Sequence, residues 1–113
     1  MDQQQMEKLS RDYQTVQEQL QTLAVQKGQF SAQKEELKDA LAEIEKSAGK
    51  IYSAIGGVIV EVSKEEAKGQ ITEQQSSIEM RLGIIGKQYD DAVKKEQTLR
   101  ETITSALKGE GRQ

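Results

Sequence analysis

Chemistry in a chain of 113 residues has to come from its titratable, nucleophilic and metal-ligating side chains, and here that inventory is short. There is no His and no Cys, which removes the imidazole base, the thiolate nucleophile and the N/S ligand sets of zinc sites. Nineteen Asp and Glu residues are scattered along the chain, and carboxylates so distributed are read as the solvated faces of helices. Gly86-Lys87-Gln88 resembles the end of a phosphate-binding loop only in part, because the upstream glycine spacing, a following Ser or Thr and a preceding strand are all missing. Lys27 and Lys34 interrupt an apolar series, but nothing around them in the sequence makes a pocket that would activate an amine. No catalytic, cofactor-binding or metal-binding residue is assigned, and the expectation is a protein that is not an enzyme.

What the sequence does organise is a pair of long helices. With Met6 as heptad position a, the a positions are Met6, Tyr13, Leu20, Lys27, Lys34 and Leu41. The d positions are Leu9, Val16, Leu23, Phe30, Leu37 and Ile44. Apolar residues spaced 3-4-3-4 without a slip form the seam of a left-handed coiled coil. The second half repeats the pattern, with Ile71, Ile78, Ile85, Ala92, Leu99 and Ala106 at d and Gln75, Leu82, Tyr89, Glu96 and Ile103 at a. Ser63-Lys64-Glu65-Glu66 is a capping box that starts this helix, and the Gly109–Gln113 tail is expected to lie beyond its end. There is no Pro, where a usage of about 5% would put about six, in keeping with long uninterrupted helices.

Between the helices the chemistry changes. Ser47-Ala48-Gly49 closes the first helix, and Ile51–Ile55 and Val58–Val62 are β-branched runs on either side of Gly56-Gly57. Such runs around a two-residue Gly-Gly loop predict a β-hairpin. The expected fold is mainly α: a long antiparallel two-helix coiled coil with a single β-hairpin between the helices. One domain spans 1–113, with an N-terminal helix over 3–48, a hairpin over 51–62 and a C-terminal helix over 64–108. About 40 residues per helix at 1.5 Å each gives roughly 60 Å. Two in-phase registers are open, one placing Leu9 opposite Ile103, the other placing Val16 opposite Ile103 and Phe30 opposite Tyr89.

Composition narrows the partners. A net charge of −3 argues against nucleic acid, whose phosphates want a basic face. The longest weakly polar run, Ala54–Val60, is far short of the ~20 residues that span a bilayer. The first residues lack the basic and apolar regions of a signal peptide, so the expectation is a soluble cytosolic protein without a membrane partner. An isolated hairpin is marginal in water, and this one has apolar residues on both faces and two open edges. It can pack back on its own coiled coil, or, as the favoured reading, pair with hairpins of other chains. Where the termini meet, Met6, Leu9, Tyr13, Leu99, Ile103 and Leu107 read either as an ordinary fraying end or as an apolar tip that grips apolar material. The polar seam residues Lys27, Lys34, Gln75 and Glu96 either reach for water along their stems or fix the pairing.

At the hairpin the sequence resembles the β-type subunits of prefoldin, a hexameric co-chaperone of archaea and eukaryotes. Ile51-Tyr52-Ser53-Ala54-Ile55-Gly56-Gly57-Val58-Ile59-Val60 is similar to the family's V-Y-K-x-V-G-x-x-L-V. Leu20–Lys27 followed by Glu35, Glu36 and Leu37 is similar to the first family helix. Arg81 and Leu82 leading to Lys87-Gln88 follow an R-x-x-x-x-x-K/R-Q trend in the second. A single hairpin points to the β type rather than the α type, which carries two. The resemblance implies a hetero-hexamer, typically two α and four β subunits, in which the hairpins build a β-barrel platform and six coiled coils project from it. It implies an ATP-independent holdase whose tips capture unfolded polypeptides and deliver them to a group II chaperonin, with no cofactor. Carried over, the platform would use Ile51, Tyr52, Ile55, Val58, Ile59, Val60 and Val62. The tip, by position, would use Met6, Leu9, Tyr13, Leu99, Ile103 and Leu107. Gly28, Gly83 and Gly86 within helices, and Ser53 where the family often has a basic residue, depart from the pattern. The rival function is a structural coiled-coil adaptor without client binding, its hairpin capping a dimer or tetramer.

Overall fold

The computed structural model describes residues 2–111. The chain runs α1 (Gln3–Lys46), β1 (Ile51–Ile55), β2 (Val58–Val62) and α2 (Lys64–Gly111). It divides into two compact units, Gly28–Gly83 and the terminal unit of Met1–Lys27 with Ile84–Gln113.

Helix α1 begins on Asp2. Its carboxylate accepts from the backbone N–H of Gln5 at 2.8 Å while the Gln5 side-chain oxygen accepts from the Asp2 N–H at 3.0 Å, a reciprocal capping box. Helix α2 begins on Ser63, whose hydroxyl accepts from the Glu66 N–H at 3.1 Å. At the other end of α1, Lys64 donates to the carbonyl of Glu45 at 2.8 Å and to that of Ser47 at 3.4 Å. The last carbonyls of a helix have no partner of their own, and a cation there also suits the negative end of the helix dipole. Helix α1 ends at Lys46, two residues before the expected boundary at 48. At the opposite extreme α2 continues through Gly109 to Gly111, past the expected end at 108. Glycine costs a helix only about 1 kcal/mol against Ala, so Gly109 does not end it. Of the expected polar tail, Arg112 and Gln113 lie outside the described residues.

In unit Gly28–Gly83 the hairpin pairs Ile51 with Val62, Tyr52 with Glu61, Ser53 with Val60, Ala54 with Ile59 and Ile55 with Val58. Gly56 and Gly57 both take positive φ, 55° and 81°, the left-handed pair that a type I′ turn demands. The helical segments of this unit run antiparallel. The Arg81 guanidinium sits 5.8 Å over the Phe30 ring, Lys34 meets Glu79 at 3.8 Å and Lys68 meets Glu45 at 3.6 Å. Ala67 and Ile78 are buried.

In the terminal unit the segments are also antiparallel. Tyr13 reaches Glu96, and the Lys27 ammonium lies 5.4 Å over the Tyr89 ring. Val16, Ile85 and Ala92 are buried, Val16 almost completely. In α2 every assigned a and d position from Ile71 to Ala106 is buried or half-buried, as a two-helix seam requires. In α1 the exceptions are Lys27 and Lys34, both exposed. The pairings in each unit, Lys34 with Glu79 in one and Tyr13 with Glu96 in the other, fit the register that sets Leu9 opposite Ile103.

Candidate functional site: the exposed hairpin and the helix ends

The hairpin is the most apolar exposed feature of its unit. Strand alternation sends Ile51, Ser53, Ile55, Val58, Val60 and Val62 to one face and Tyr52, Ala54, Ile59 and Glu61 to the other. Ser53 donates its hydroxyl hydrogen to Gln70 Oε1 at 3.2 Å, so the first face leans on α2, and Ile51 and Val62 are half-buried there. Beyond that anchor the strands are bare: Ile59 is 73% exposed, Tyr52 60%, Val58 59% and Ile55 56%. Val60 is exposed to a lesser degree. Among the described residues the sheet has two strands, so each strand has one edge of N–H and C=O groups that no other described strand pairs. Apolar faces joined to open edges form a template for further strands. The seven hairpin residues expected from sequence therefore divide into five that face water and two, Ile51 and Val62, that hold the hairpin to its own helices.

The terminal unit brings Tyr13 and Ile103 together around an open groove of about 320 Å³, lined also by Ser10, Arg100 and Thr104. Met6, Leu9, Leu99 and Ile103 are half-buried, and Leu107, 55% exposed, projects most freely. Tyr13 differs from its apolar neighbours in having its hydroxyl committed. It donates to Glu96 Oε1 at 2.8 Å, and the same oxygen lies 3.7 Å from Arg100 Nε. Donation to the carboxylate is the main cause raising the Tyr13 pKa above its ordinary 10.0, followed by desolvation. Tyr13 and Glu96 are both a positions in the heptad, whereas the register that sets Leu9 opposite Ile103 sets Tyr13 opposite Leu99, so spacing alone does not join the phenol to this carboxylate.

The polar seam residues are now placed. Lys27 and Lys34 keep their heads in water, over Tyr89 and beside Glu79 respectively. Glu96 is half-buried with partners from both helices. Gly86-Lys87-Gln88 lies inside α2, so no loop is available to cradle a phosphate. Among the described residues no cluster of three or more metal-ligating side chains occurs. None of their helices is long and apolar enough to cross a membrane. Apolar side chains are thus exposed at two places, on the hairpin and at Leu107 of the terminal unit.

Comparison with known proteins agrees with that geometry. A family model described as prefoldin subunit matches residues 3–110. The prefoldin subunit beta of Methanosarcina acetivorans is 34% identical over 96 residues, covering 83% of this chain and 82% of that protein. Its counterpart from Pyrococcus furiosus is 35% identical over 94 residues, covering 81% and 80%. The crystal structure of the prefoldin beta subunit from Thermococcus strain KS-1 superposes with a TM-score of 0.85 at 30% identity, covering 91% of this chain and 92% of that one.

Proposed function

This chain belongs to the prefoldin family as a β-type subunit, and from that premise we propose that it is an ATP-independent holdase subunit acting within a hetero-oligomer. Family members are chaperone subunits rather than enzymes, and a co-chaperone role follows from membership. The finer reading has three parts. The hairpin pairs with hairpins of other chains, α-type subunits among them, to close a β-barrel platform of a hexamer with two α and four β subunits. The helix ends that carry the termini hold unfolded polypeptide through Met6, Leu9, Leu99, Ile103 and Leu107, with Tyr13 contributing its ring while its hydroxyl stays on Glu96. The loaded complex passes its client to a group II chaperonin in the cytoplasm. Residues 1–113 act as one functional domain throughout.

The observation that carries this reading is the hairpin, whose apolar side chains are exposed on both faces and whose two edges are unpaired. A surface of that kind is stable in water only when covered. Weak apolar grips repeated on several subunits would bind by avidity, which needs no deep pocket. The test combines native mass with client protection. The chain is mixed with an α-type subunit, and aggregation of an unfolded client is followed without ATP, before and after trimming both termini back to Val16 and Leu99. Hexamer formation in both forms, with protection only by the untrimmed one, is the expected result. A stable dimer indifferent to the α-type subunit would return the chain to the structural adaptor reading. Undiminished protection after trimming would remove the helix ends as the grip.

A further inference from the structure

From Ile51 to Val62 the hairpin carries one acidic residue, Glu61, and no Lys or Arg. Glu61 is exposed and shares a face with Tyr52, Ala54 and Ile59, the face turned away from the Ser53–Gln70 hydrogen bond. Two cations line the groove at the hairpin base together with Glu61, Lys50 and Lys64, but neither is paired with it. Lys64 donates to the carbonyls of Glu45 and Ser47. The ion pairs among the described residues are Lys34–Glu79, Lys68–Glu45 and Arg100–Glu96, so Lys50 and Glu61 take part in none. The ladder also aims the backbone at this position. Hydrogen-bonded and non-hydrogen-bonded pairs alternate along antiparallel strands, and the pair flanking a two-residue loop, here Ile55 with Val58, is hydrogen-bonded. Ala54–Ile59 and Tyr52–Glu61 are therefore the pairs whose N–H and C=O groups point outward. A strand added to β2 bonds to the backbone of Ile59 and Glu61 themselves, which sets one of its residues about 5.5 Å from Glu61, Cα to Cα.

We propose that Glu61 selects the strand that joins β2: one from a different chain that brings a Lys or Arg opposite this carboxylate. The inference rests on the reading that the hairpin pairs with hairpins of other chains, and it adds the charge that the joining strand must carry. A second copy of this chain does not supply it. Laid antiparallel in full overlap, β2 of a second copy sets Ile59 opposite Glu61, and β1 of a second copy sets Tyr52 there. Either pairing covers a carboxylate without giving it a cation, and covering an unpaired charge is costly. Opposite charges facing each other across two strands are stabilising, whereas like charges are destabilising. The α-type subunit is the different chain in the proposed hetero-oligomer. A cation on its hairpin turns Glu61 from an obstacle to self-association into a contact that favours mixed assembly. A lone carboxylate on an otherwise apolar strand also discourages the self-pairing that a bare edge invites.

The test measures assembly midpoints by native mass over a dilution series, for the chain alone and with an α-type subunit. Each is taken at about 50 and 500 mM salt, between which the screening length falls about threefold. Glu61→Gln keeps the shape of the side chain and removes its charge, and Glu61→Lys reverses it. Wild type should assemble with the α-type subunit about tenfold more tightly than alone, and high salt should weaken the mixed assembly. Glu61→Gln should lose most of that salt response, and Glu61→Lys should weaken mixed assembly by about tenfold or more at low salt. A Glu61→Lys chain that joins the α-type subunit at the wild-type midpoint overturns the inference, and so does a wild type that assembles as tightly alone. Should Glu61→Lys lose helix content by circular dichroism, Glu61→Gln decides, and a salt response equal to that of wild type overturns the inference. Ile59→Ser separates the two claims. If it weakens mixed assembly while Glu61→Lys does not, the hairpin pairs and only the choice by charge fails; if neither variant changes the midpoint, assembly through the hairpin fails as well.

Discussion

Replacing one apolar residue on each face of the hairpin, as Ile55→Ser/Ile59→Ser, should disconnect assembly from folding. In the single chain these side chains are 56% and 73% exposed. Complete burial of an Ile is worth about 1.5–3 kcal/mol, so each has about 1–2 kcal/mol still to gain when another chain covers it. Losing both removes about 2–4 kcal/mol per hairpin, which is roughly 30- to 1,000-fold in an association constant. The isolated chain loses little, because water already reaches both side chains and the Ser53–Gln70 hydrogen bond with Ile51 and Val62 still docks the hairpin. Sedimentation or native mass across a dilution series with an α-type subunit gives the assembly midpoint, and far-UV circular dichroism confirms that helix content is retained. A double variant that assembles at the wild-type midpoint with unchanged helicity would refute the claim that covering these faces drives assembly. Loss of helix content together with assembly would show that the hairpin is needed for the chain itself to fold.

Other expectations concern the helices. Val16 is 1% exposed, and Val16→Ala should cost about 2 kcal/mol from lost methyl burial and the cavity left behind, seen as a lower denaturation midpoint at fixed protein concentration. Gly83 lies within α2 with open space where a Cβ would project, so Gly83→Ala should stabilise the helix by about 1 kcal/mol, and a lower melting temperature would contradict that. Tyr13 has a raised pKa in the folded chain, so its contribution to stability is complete below its unfolded value near 10 and is lost as pH rises through the higher folded value. The stability gap between wild type and Tyr13→Phe should therefore narrow only as pH rises above about 10; a constant gap would mean that the Glu96 contact contributes nothing protonation-dependent.

The elements were legible because each is written in local code. A 3-4 apolar spacing, Ser63 three residues before Glu66, and Gly56-Gly57 between β-branched runs all specify structure from neighbours alone. The helix register is decided by residues far apart in sequence, yet within unit Gly28–Gly83 it too could have been read. Ile51 with Val62, Glu45 with Lys68, and Lys34 with Glu79 all lie at matching distances along the chain from the Gly56-Gly57 turn. The hairpin acts as a pivot, and once the turn is placed the helix pairs follow. The capping of α1 was less accessible, since its donor is an ammonium from the start of α2 that reaches back to carbonyls of Glu45 and Ser47. Tyr13 shows the limit of periodicity at the candidate site: spacing groups it with Leu9 and Val16, but nothing in a hydrophobic pattern says where a phenol hydroxyl will find its acceptor.

Burial along the two helices explains why a chain of this design depends on neighbours. A residue in a two-helix seam is covered on one side by the facing helix and keeps a wet flank. Accordingly most a and d residues here are only half-buried, and outright burial among the described residues is confined to Val16, Ile78, Ile85 and Ala92 on the seam and Ala67 beside it. Three of those five are Ala or Val, which bring little apolar area. Of the four aromatic residues in the chain, Tyr52 faces water and Tyr13, Phe30 and Tyr89 are only half-buried. Under the proposed function the same half-exposure serves the helix ends, where a client that replaced water on Leu107 or the flank of Leu99 would gain contact without the pair having to open. At the hairpin it is a cost that only other strands can remove. One physical shortfall, a core too thin to bury its own apolar surface, thus underlies both proposed activities of the chain, assembly and grip.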